Sequence, residues 1–455
     1  MNDQTNSTID KINSWIKNSI SLKLITVTIL MLLLLIPSAM IKEIIREREL
    51  LNTQAVHEVS SKWANQQEIH GPVLSIPMVY EFEKEEEKEG KEEVSLVTIT
   101  KFWHILPDEL NIDGEVTPEK LKRGIYEIVV YTSDLGVSGY FKIPEIPDQT
   151  NLKEVQYDKA FITLGISDLR GIEDQIQLLW GEQELTAQSG SNVSNMIYSG
   201  VTFNVPDIKE LGEDSIEFKM NMKLQGSQNL SFIPVGKTTK VNLNSNWPSP
   251  KFDGNFLPDD RDVSKDGFTA EWKILQLNRN FPQTWVGSNH AKKMKDSSFR
   301  VDLIMPLDDY QKSMRSAKYA AMTIALTFLI FFLVEILNGR KIHPFQYVLV
   351  GLALLLFYVL LVSISEHSNF NMAYSVTAVA VVTMITLYSL TIFKARKLTM
   401  LLAAVLVGIY GFLFVTLQLT DYALLMGSIG LTLILGLTMY FTRNVNWYKL
   451  NSKEE

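Results

Sequence analysis

The six histidines are the first residues to examine for metal binding or acid–base chemistry, because the chain contains no cysteine. No two of these histidines have the spacing of a metal-binding pair, and the chain has no HExxH motif and no GxSxG elbow. We therefore predict no catalytic residue, no metal site and no cofactor. The histidines are His57, His70, His104, His290, His343 and His367.

One segment resembles the end of a phosphate-binding loop. Residues 231–238 read SFIPVGKT, but Ser231 stands where that motif has its first glycine. No alternating strand–helix pattern surrounds the segment, so we predict a β-turn there. The formal net charge of −8 argues against nucleic acid as a partner.

Long apolar runs set the framework that would position any functional residue. Each run falls within the roughly 17–25 residues that a membrane-spanning helix needs. No small-residue cleavage site follows the first run, and KEIIRERELL continues its helical pattern, so we expect an uncleaved anchor. The predicted spans are residues 24–41, 319–337, 345–364, 373–393, 398–418 and 422–441.

Lysines and arginines in the short connections predict the orientation of these spans. They precede the first span and recur in alternate connections, whereas residues 365–372 and 420–421 contain none. This bias places both termini in the cytoplasm and residues 42–317 in the periplasm. The predicted regions are a cytoplasmic segment 1–23, an anchor 24–41, an external domain 42–317, a five-helix bundle 318–442 and a cytoplasmic tail 443–455.

The external region begins with a helical pattern over residues 44–63, which predicts a stalk leaving the membrane. Farther on the period changes to two, as in IEFKMNMKL at 216–224, where apolar and polar residues alternate. We predict a mainly antiparallel, sandwich-like β domain, either single or divided into two lobes near residues 206–212. The acidic run 81–93 is expected to be a solvated hairpin loop.

A few ionisable residues lie in or beside the apolar runs. Glu335 is inside one, near its cytoplasmic end and close to Arg340 and Lys341. It is either a functional intramembrane carboxylate or an interfacial residue that pairs or reaches the membrane surface. Glu366 and His367 stand where the third span exits outward, so they are either a proton relay or an interfacial cap.

Residues 335–374 read EILNGRKIHPFQYVLVGLALLLFYVLLVSISEHSNFNMAY, with the motifs GR-x-IHP-x-QY, SEH and F-x-x-AY. In these motifs the segment resembles the CreD family of bacterial inner-membrane proteins. Further matches in the external region include Gly71-Pro72, RGIYE at 123–127, Trp247-Pro248 and Pro282-Gln283. The resemblance covers nearly the whole chain and departs mainly in the acidic run 81–93.

The resemblance implies a protein of cell-envelope integrity, linked to envelope stress, β-lactam response and colicin tolerance, with no established catalytic activity. Its expected partners are the lipid bilayer and an unidentified envelope component or membrane protein. We further hypothesise that Glu335 and Arg340 form a structural clasp at the cytoplasmic turn. The candidate functional residues are Glu335, Arg340, His343, Pro344, Gln346, Tyr347, Glu366, His367 and Tyr374.

Two other functions fit parts of the sequence. One anchor, a large external domain and five further spans also describe the layout of YidC-type insertases, and a lipid-handling protein would share this layout. An insertase would need a basic residue in a hydrophilic groove, and no predicted span has an interior lysine or arginine. A transporter is disfavoured because interior polar residues are scarce and the spans show no inverted repeat.

Overall fold

The computed structural model describes residues 20–88, 91–146, 150–206, 208, 215–305, 309–338, 342–419 and 423–443. The chain forms two compact units. We call Met1–Asn52 with Leu307–Glu455 the helical unit, and Thr53–Pro306 the β unit.

The helices follow the apolar runs of the sequence. Helix α1 is continuous for 44 residues although Pro37 lies inside it. The residues of α1 from Thr53 onward belong to the β unit. The helices are α1 Ile20–Trp63, α2 Ala291–Asp296, α3 Asp309–Lys318, α4 Ala320–Asn338, α5 Pro344–Ser365, α6 Phe370–Phe393, α7 Arg396–Gln418 and α8 Ala423–Thr442.

Within the described residues, four helices are long and apolar enough to cross a membrane: α1, α5, α6 and α7. Helices α3 and α4 form a pair bent by 41° that raises this number to five when it is taken as one span. Helix α8 coincides with the sixth predicted span, at 422–441, but is not among the five.

Local capping explains where α5 and α6 begin. Pro344 is the first residue of α5, where its missing N–H costs nothing. The imidazole Nδ1 of His343 accepts from the Phe345 N–H at 3.2 Å, and the Gln346 side chain accepts from the His343 N–H at 3.0 Å. Asn369 caps α6 by accepting from the Met372 N–H at 2.9 Å. These caps satisfy N–H groups that have no partner inside a helix.

The described strands of the β unit form a ten-stranded sheet and an eight-stranded sheet. The strands are β1 Gln67–Lys88, β2 Lys91–Ile105, β3 Glu109–Arg123, β4 Tyr126–Phe141, β5 Leu152–Val155, β6 Phe161–Ile166, β7 Gln177–Trp180, β8 Gln183–Thr186, β9 Gln188–Ser189, β10 Gly200–Asn204, β11 Ile216–Ser227, β12 Asn229–Ile233, β13 Thr238–Ser245, β14 Pro250–Gly254, β15 Asp260–Val263, β16 Phe268–Leu275, β17 Thr284–Val286 and β18 Phe299–Leu303.

Each sheet contains one parallel strand pair, and the other described pairs are antiparallel, which agrees with the prediction of a mainly antiparallel domain. The larger sheet has the order β14-β18-β12-β1-β6-β10-β9, with β2 and β5 also paired to β1 and β17 paired to β2. The smaller has the order β15-β16-β13-β3-β4-β11-β7-β8. Strand β1 pairs in parallel with β12, and β3 pairs in parallel with β13. A period of two reveals which face of a strand is buried but not the direction of its neighbour.

One hydrophobic core serves the β unit, with buried residues from both sheets. Along β11 every second residue is buried, from Ile216 to Leu224, as the alternation predicted. Strands from either side of residues 206–212 pair in both sheets, since β1 pairs with β12 and β4 with β11. The described strands on both sides of that position therefore contribute to one core.

Two predicted loops have different outcomes. The acidic run 81–93 is not a loop along its length, because its backbone continues β1 and β2 in an antiparallel ladder that includes Glu86 opposite Glu93. Residues 89–90 and the side chains of 84–94 lie outside the described part. Residues 231–233 and 238 belong to β12 and β13, and 234–237 connect the two strands with bends at 236 and 237, so the β-turn stays a prediction. No helix follows it to support a phosphate.

Candidate functional site

The first feature of the helical unit is a stripe of buried residues on α1. Leu34, Ser38, Ile41 and Ile45 are buried, at alternating spacings of four and three residues. This spacing keeps them on one face of the helix. The other faces are exposed, as expected for a helix that contacts lipid on those sides; the exposed residues include Leu24, Ile25, Ile29, Leu32, Leu33, Ile36 and Met40.

The middle of this stripe packs closely against α5. A Cβ atom added at Gly351 would lie 2.2 Å from Leu34 Cδ1 and 3.1 Å from Phe328 Cζ on α4. Real Cβ atoms do not approach other atoms at 2.2 Å, so the absence of a side chain at Gly351 is what permits this approach. Small residues serve this purpose at helix contacts in membranes.

Near the N-terminal end of α1, Lys23 forms an ion pair with Glu335. The Lys23 Nζ lies 3.0 Å from Glu335 Oε1, and Glu335 is only 5% exposed. The Tyr347 hydroxyl donates to Glu335 Oε2 at 3.2 Å, and the Ile342 N–H donates to Oε1 at 3.4 Å. Because a buried carboxylate is costly without partners, three donors at this one group make it a structural anchor. We call this group of four residues the Glu335 clasp.

The predicted partner of Glu335 was Arg340, which lies outside the described residues together with Gly339 and Lys341. The pairing of Glu335 with Arg340 therefore stays a prediction, and the structure adds Lys23 as a partner that the sequence did not suggest. The residues that follow have separate roles, because His343, Pro344 and Gln346 form the N-terminal cap of α5.

Just after the C-terminal end of the stripe, Arg48 of α1 forms a second ion pair, with Glu366. Arg48 Nε lies 3.5 Å from Glu366 Oε1, and the side chain of Glu366 is 11% exposed. The Tyr310 hydroxyl of α3 donates to the same oxygen at 3.5 Å. We call these three residues the Glu366 clasp. His367 is exposed beside it, and the hydroxyl of Tyr374 donates elsewhere, to the Tyr410 carbonyl at 2.7 Å.

The two clasps are separated by about the thickness of a bilayer. Lys23 and Arg48 are 48 − 23 = 25 residues apart on one helix, or about 38 Å at 1.5 Å per residue. The hydrocarbon core of a bilayer is about 30 Å thick, and about 40–45 Å with its headgroup regions. Both cations therefore suit the headgroup regions, where a charged side chain keeps access to water.

Lys23 and Arg48 lie on the same face of α1 as the buried stripe. Lys23 is four residues before Val27, which is partly buried and seven residues before Leu34, and Arg48 follows Ile45 by three. Sequence reasoning treated Lys23 only as an orientation charge. Neither the inward face of α1 nor the carboxylates that meet its ends could be predicted from the sequence.

A polar cluster in the β unit secures the far end of α1. Asp168 Oδ2 accepts from both the backbone and the side-chain nitrogen of Asn65 at 3.0 Å. Arg170 bonds Asp168 and also donates to the Ser61 carbonyl in the last turn of α1. The Arg170 guanidinium and the N–H groups that bond Asp168 hold the pKa of that carboxyl well below its ordinary value.

The remaining candidates for chemistry are inaccessible. Ser75 Oγ and His104 Nδ1 are 2.9 Å apart, but both side chains are buried. Burial lowers the pKa of His104 and of His70 to about 4. Within the described ranges no group of three or more potential ligands could hold a metal ion. A substrate has no route to the Ser75–His104 pair, which is part of the core.

Comparison of the amino-acid sequence with known proteins places the chain in a family. The family model described as Inner membrane protein CreD matches residues 19–448. Inner membrane protein CreD of Escherichia coli (strain K12) is 32% identical over 417 residues, which cover 92% of this chain and 91% of that protein. Both clasp carboxylates, Glu335 and Glu366, lie inside the matched region. On this evidence the chain belongs to the CreD family of inner membrane proteins.

Proposed function

We propose that this protein supports the integrity of the cell envelope as a non-enzymatic, multi-pass protein of the inner membrane. In this proposal six helices span the membrane, both termini are cytoplasmic, and the β unit is a sandwich-like periplasmic domain that binds an envelope component. The protein would act in the response to envelope stress and β-lactams. Family membership and the lysine and arginine bias of the connections support this role and orientation.

The observation that carries the proposal is the pairing of both motif carboxylates with the ends of one stripe on α1. Glu335 and Glu366 use their oxygens to hold protein groups, which is what a structural frame requires. A catalytic carboxylate has to reach a substrate instead. The clasps fix the position of α1 along the membrane normal, and α1 continues without a break into the β unit.

The sandwich-like arrangement rests on the single core to which both sheets contribute. The insertase alternative has less support. The described lysines and arginines of the helical unit lie outside the apolar runs: Lys42, Arg46 and Arg48 follow the apolar run of α1, and others, such as Lys23 and Arg396, lie near helix ends. A basic residue inside a hydrophilic membrane groove is thus missing from the described part of the chain.

The role can be tested in a bacterium from which the gene has been deleted. The wild-type gene should restore resistance to a β-lactam, whereas Glu335→Gln and Glu366→Gln should restore it only in part at equal membrane levels. Glu43→Gln is a matched control, because Glu43 is a strongly exposed carboxylate on α1. Full resistance with both clasp variants would show that the clasps do not support the function.

The orientation is tested separately with phosphatase fusions. Phosphatase joined after Leu110 should be active, because that enzyme folds in the periplasm, and phosphatase joined after Lys397 should be inactive. The opposite result at either position would refute the six-span orientation, whatever the outcome of the resistance assay.

A further inference from the structure

One edge of the larger sheet is open along strand β2. Strand β2 pairs with β1 from Lys91 onward, whereas its other edge pairs only with β17, at residues 103–105. The Gly287 N–H donates to the Phe102 carbonyl at 2.9 Å, just after β17 ends at Val286. Before Phe102, no described strand pairs with this edge of β2.

The backbone orientation along this edge follows from the bond at Phe102. Because the Phe102 carbonyl bonds Gly287, the backbone groups of Phe102 point away from β1, and the same orientation recurs at every second residue of an antiparallel strand. The N–H and C=O groups of Leu96, Thr98 and Thr100 therefore point outward, where no described strand meets them. We call residues 96–100 the open edge of β2. Its five residues have the usual length of a strand.

The side chains of the open edge favour a further strand. Residues 96–100 read LVTIT, a run of residues that are mostly β-branched and suit a sheet. Leu96 is 65% exposed and Ile99 is 43% exposed. Proteins usually protect an exposed edge with a charge, a proline or a β-bulge, and the open edge has none of these, since its register with β1 is continuous. It is therefore suited to accept another strand.

The charge beside the open edge indicates a basic partner. The adjoining run 81–93 contains eight glutamates and three lysines. Within the described part of that run, Glu83 is exposed and lies opposite Leu96 in the ladder. A strand added to β2 would lie about 10 Å from β1, a distance that a glutamate and a lysine side chain span together. A second copy of this chain, with its net charge of −8, would instead bring another acidic run.

We propose that the open edge of β2 binds an extended, basic segment of a partner polypeptide, which joins the larger sheet as a strand in line with β17. Backbone hydrogen bonds to Leu96, Thr98 and Thr100 supply affinity, and the basic side chains reach Glu83 and supply selectivity. This inference rests on the proposed function, because it names the kind of envelope component that the β unit binds. The binding test below can fail while the gene still restores β-lactam resistance, so the two failures are distinguishable.

The test uses the purified full chain in nanodiscs of zwitterionic lipid, with empty nanodiscs as the blank. The probe is a fluorescent peptide of about ten residues, in which valine and threonine alternate between two lysines at each end. Fluorescence anisotropy should show saturable binding that weakens with salt. A peptide with N-methyl groups on adjacent residues lacks N–H donors on both edges and should bind about 10-fold more weakly. Glutamates in place of the lysines should weaken binding by a similar factor.

Two variants of Thr98 locate the binding at the open edge. Thr98→Pro removes an outward N–H and keeps the backbone bonds of β2 to β1, so it should weaken binding about 10-fold. Thr98→Lys keeps every backbone group and opposes the basic peptide, so it should weaken binding about 2–10-fold and decides the question if Thr98→Pro folds poorly. Thr269→Lys is the matched control and should bind normally, because Thr269 is an exposed threonine on β16 with a strand on each side.

Several results would overturn the proposal. Equal binding of the N-methylated peptide would show that backbone hydrogen bonds are not used, and equal binding of the glutamate peptide would show that charge does not select the partner. Unchanged binding to Thr98→Lys, or an equal loss in Thr269→Lys, would place the peptide elsewhere. A wild-type dimer that Thr98→Pro dissociates, measured by mass photometry, would assign the open edge to a second copy of this chain.

Discussion

The ion pair between Lys23 and Glu335 should be energetically coupled, and a double-mutant cycle measures this coupling directly. Lys23→Met keeps the length of the side chain and removes its charge, and Glu335→Gln keeps the shape of the carboxylate. Glu335 is 5% exposed and Lys23 is 30% exposed, with 3.0 Å between their charged atoms. The pair is thus intermediate between a surface pair and a fully buried one.

The magnitude follows from these exposures. Removing one partner of a buried pair costs about 3–5 kcal/mol, whereas an exposed pair is worth about 0–1 kcal/mol. For Lys23→Met we expect a loss of about 2–3 kcal/mol, because Glu335 keeps only its bonds from Tyr347 and Ile342. Glu335→Gln should cost about 1 kcal/mol, since Lys23 can extend to water. The coupling energy should be about 1–2 kcal/mol.

The assay is unfolding of the full chain in mixed micelles with increasing dodecyl sulfate, followed by the helical circular dichroism signal. The control cycle uses Glu43 and Arg46, whose pair on the same helix is 76% and 64% exposed. Its coupling should be below about 0.5 kcal/mol and should shrink with salt. A Lys23–Glu335 coupling no larger than that of the control pair would refute the Glu335 clasp as an anchor of α1.

Two further results are expected. Gly351→Ala should destabilise the helical unit by about 1–2 kcal/mol in the same unfolding assay, because the new Cβ at 351 would collide with Leu34. Adding Leu34→Ala should recover part of this loss. Gly408→Ala is the control and should cost nothing, because no described atom of a neighbouring element lies within 4 Å of the new Cβ. Acidification should destabilise the β unit between pH 6.5 and about 4, because the folded state keeps His70 and His104 neutral while the unfolded chain protonates them.

The acid effect has a defined size and control. Stability from the two buried rings is fully present above pH 6.5, falls as the pH drops toward 4, and changes no further below that. The complete loss is about 3 kcal/mol for each ring. In thermal unfolding, His104→Gln should roughly halve the pH dependence, because His70 remains, and His57→Gln, at an exposed position on α1, should leave it unchanged. A pH-independent midpoint in the wild type would contradict the burial of both rings.

The glycines illustrate the limit of reading a membrane bundle from its sequence. Gly351 and Gly408 both lie in apolar runs, but only Gly351 meets a neighbouring helix closely in the described structure. The difference depends on which face of each helix turns inward. That choice is made when the helices pack, so it is not present in the local sequence.

Features that depend on neighbouring residues could be predicted from the amino-acid sequence. Apolar runs predict helices in a membrane because each residue adds its own transfer free energy, and alternation predicts the buried face of a strand such as β11. The caps at His343 and Asn369 use residues within three positions of each other. All of these are short-range effects.

Long-range packing selects which distant groups meet. It paired β1 in parallel with β12, brought Lys23 to Glu335, and packed the rings of Tyr374 and Tyr410 against Phe357. A carboxylate in an apolar run requires donors, but many distant residues can supply them with similar local energies. The choice among those residues belongs to the packing of the whole unit, where each contact is fixed together with all the others.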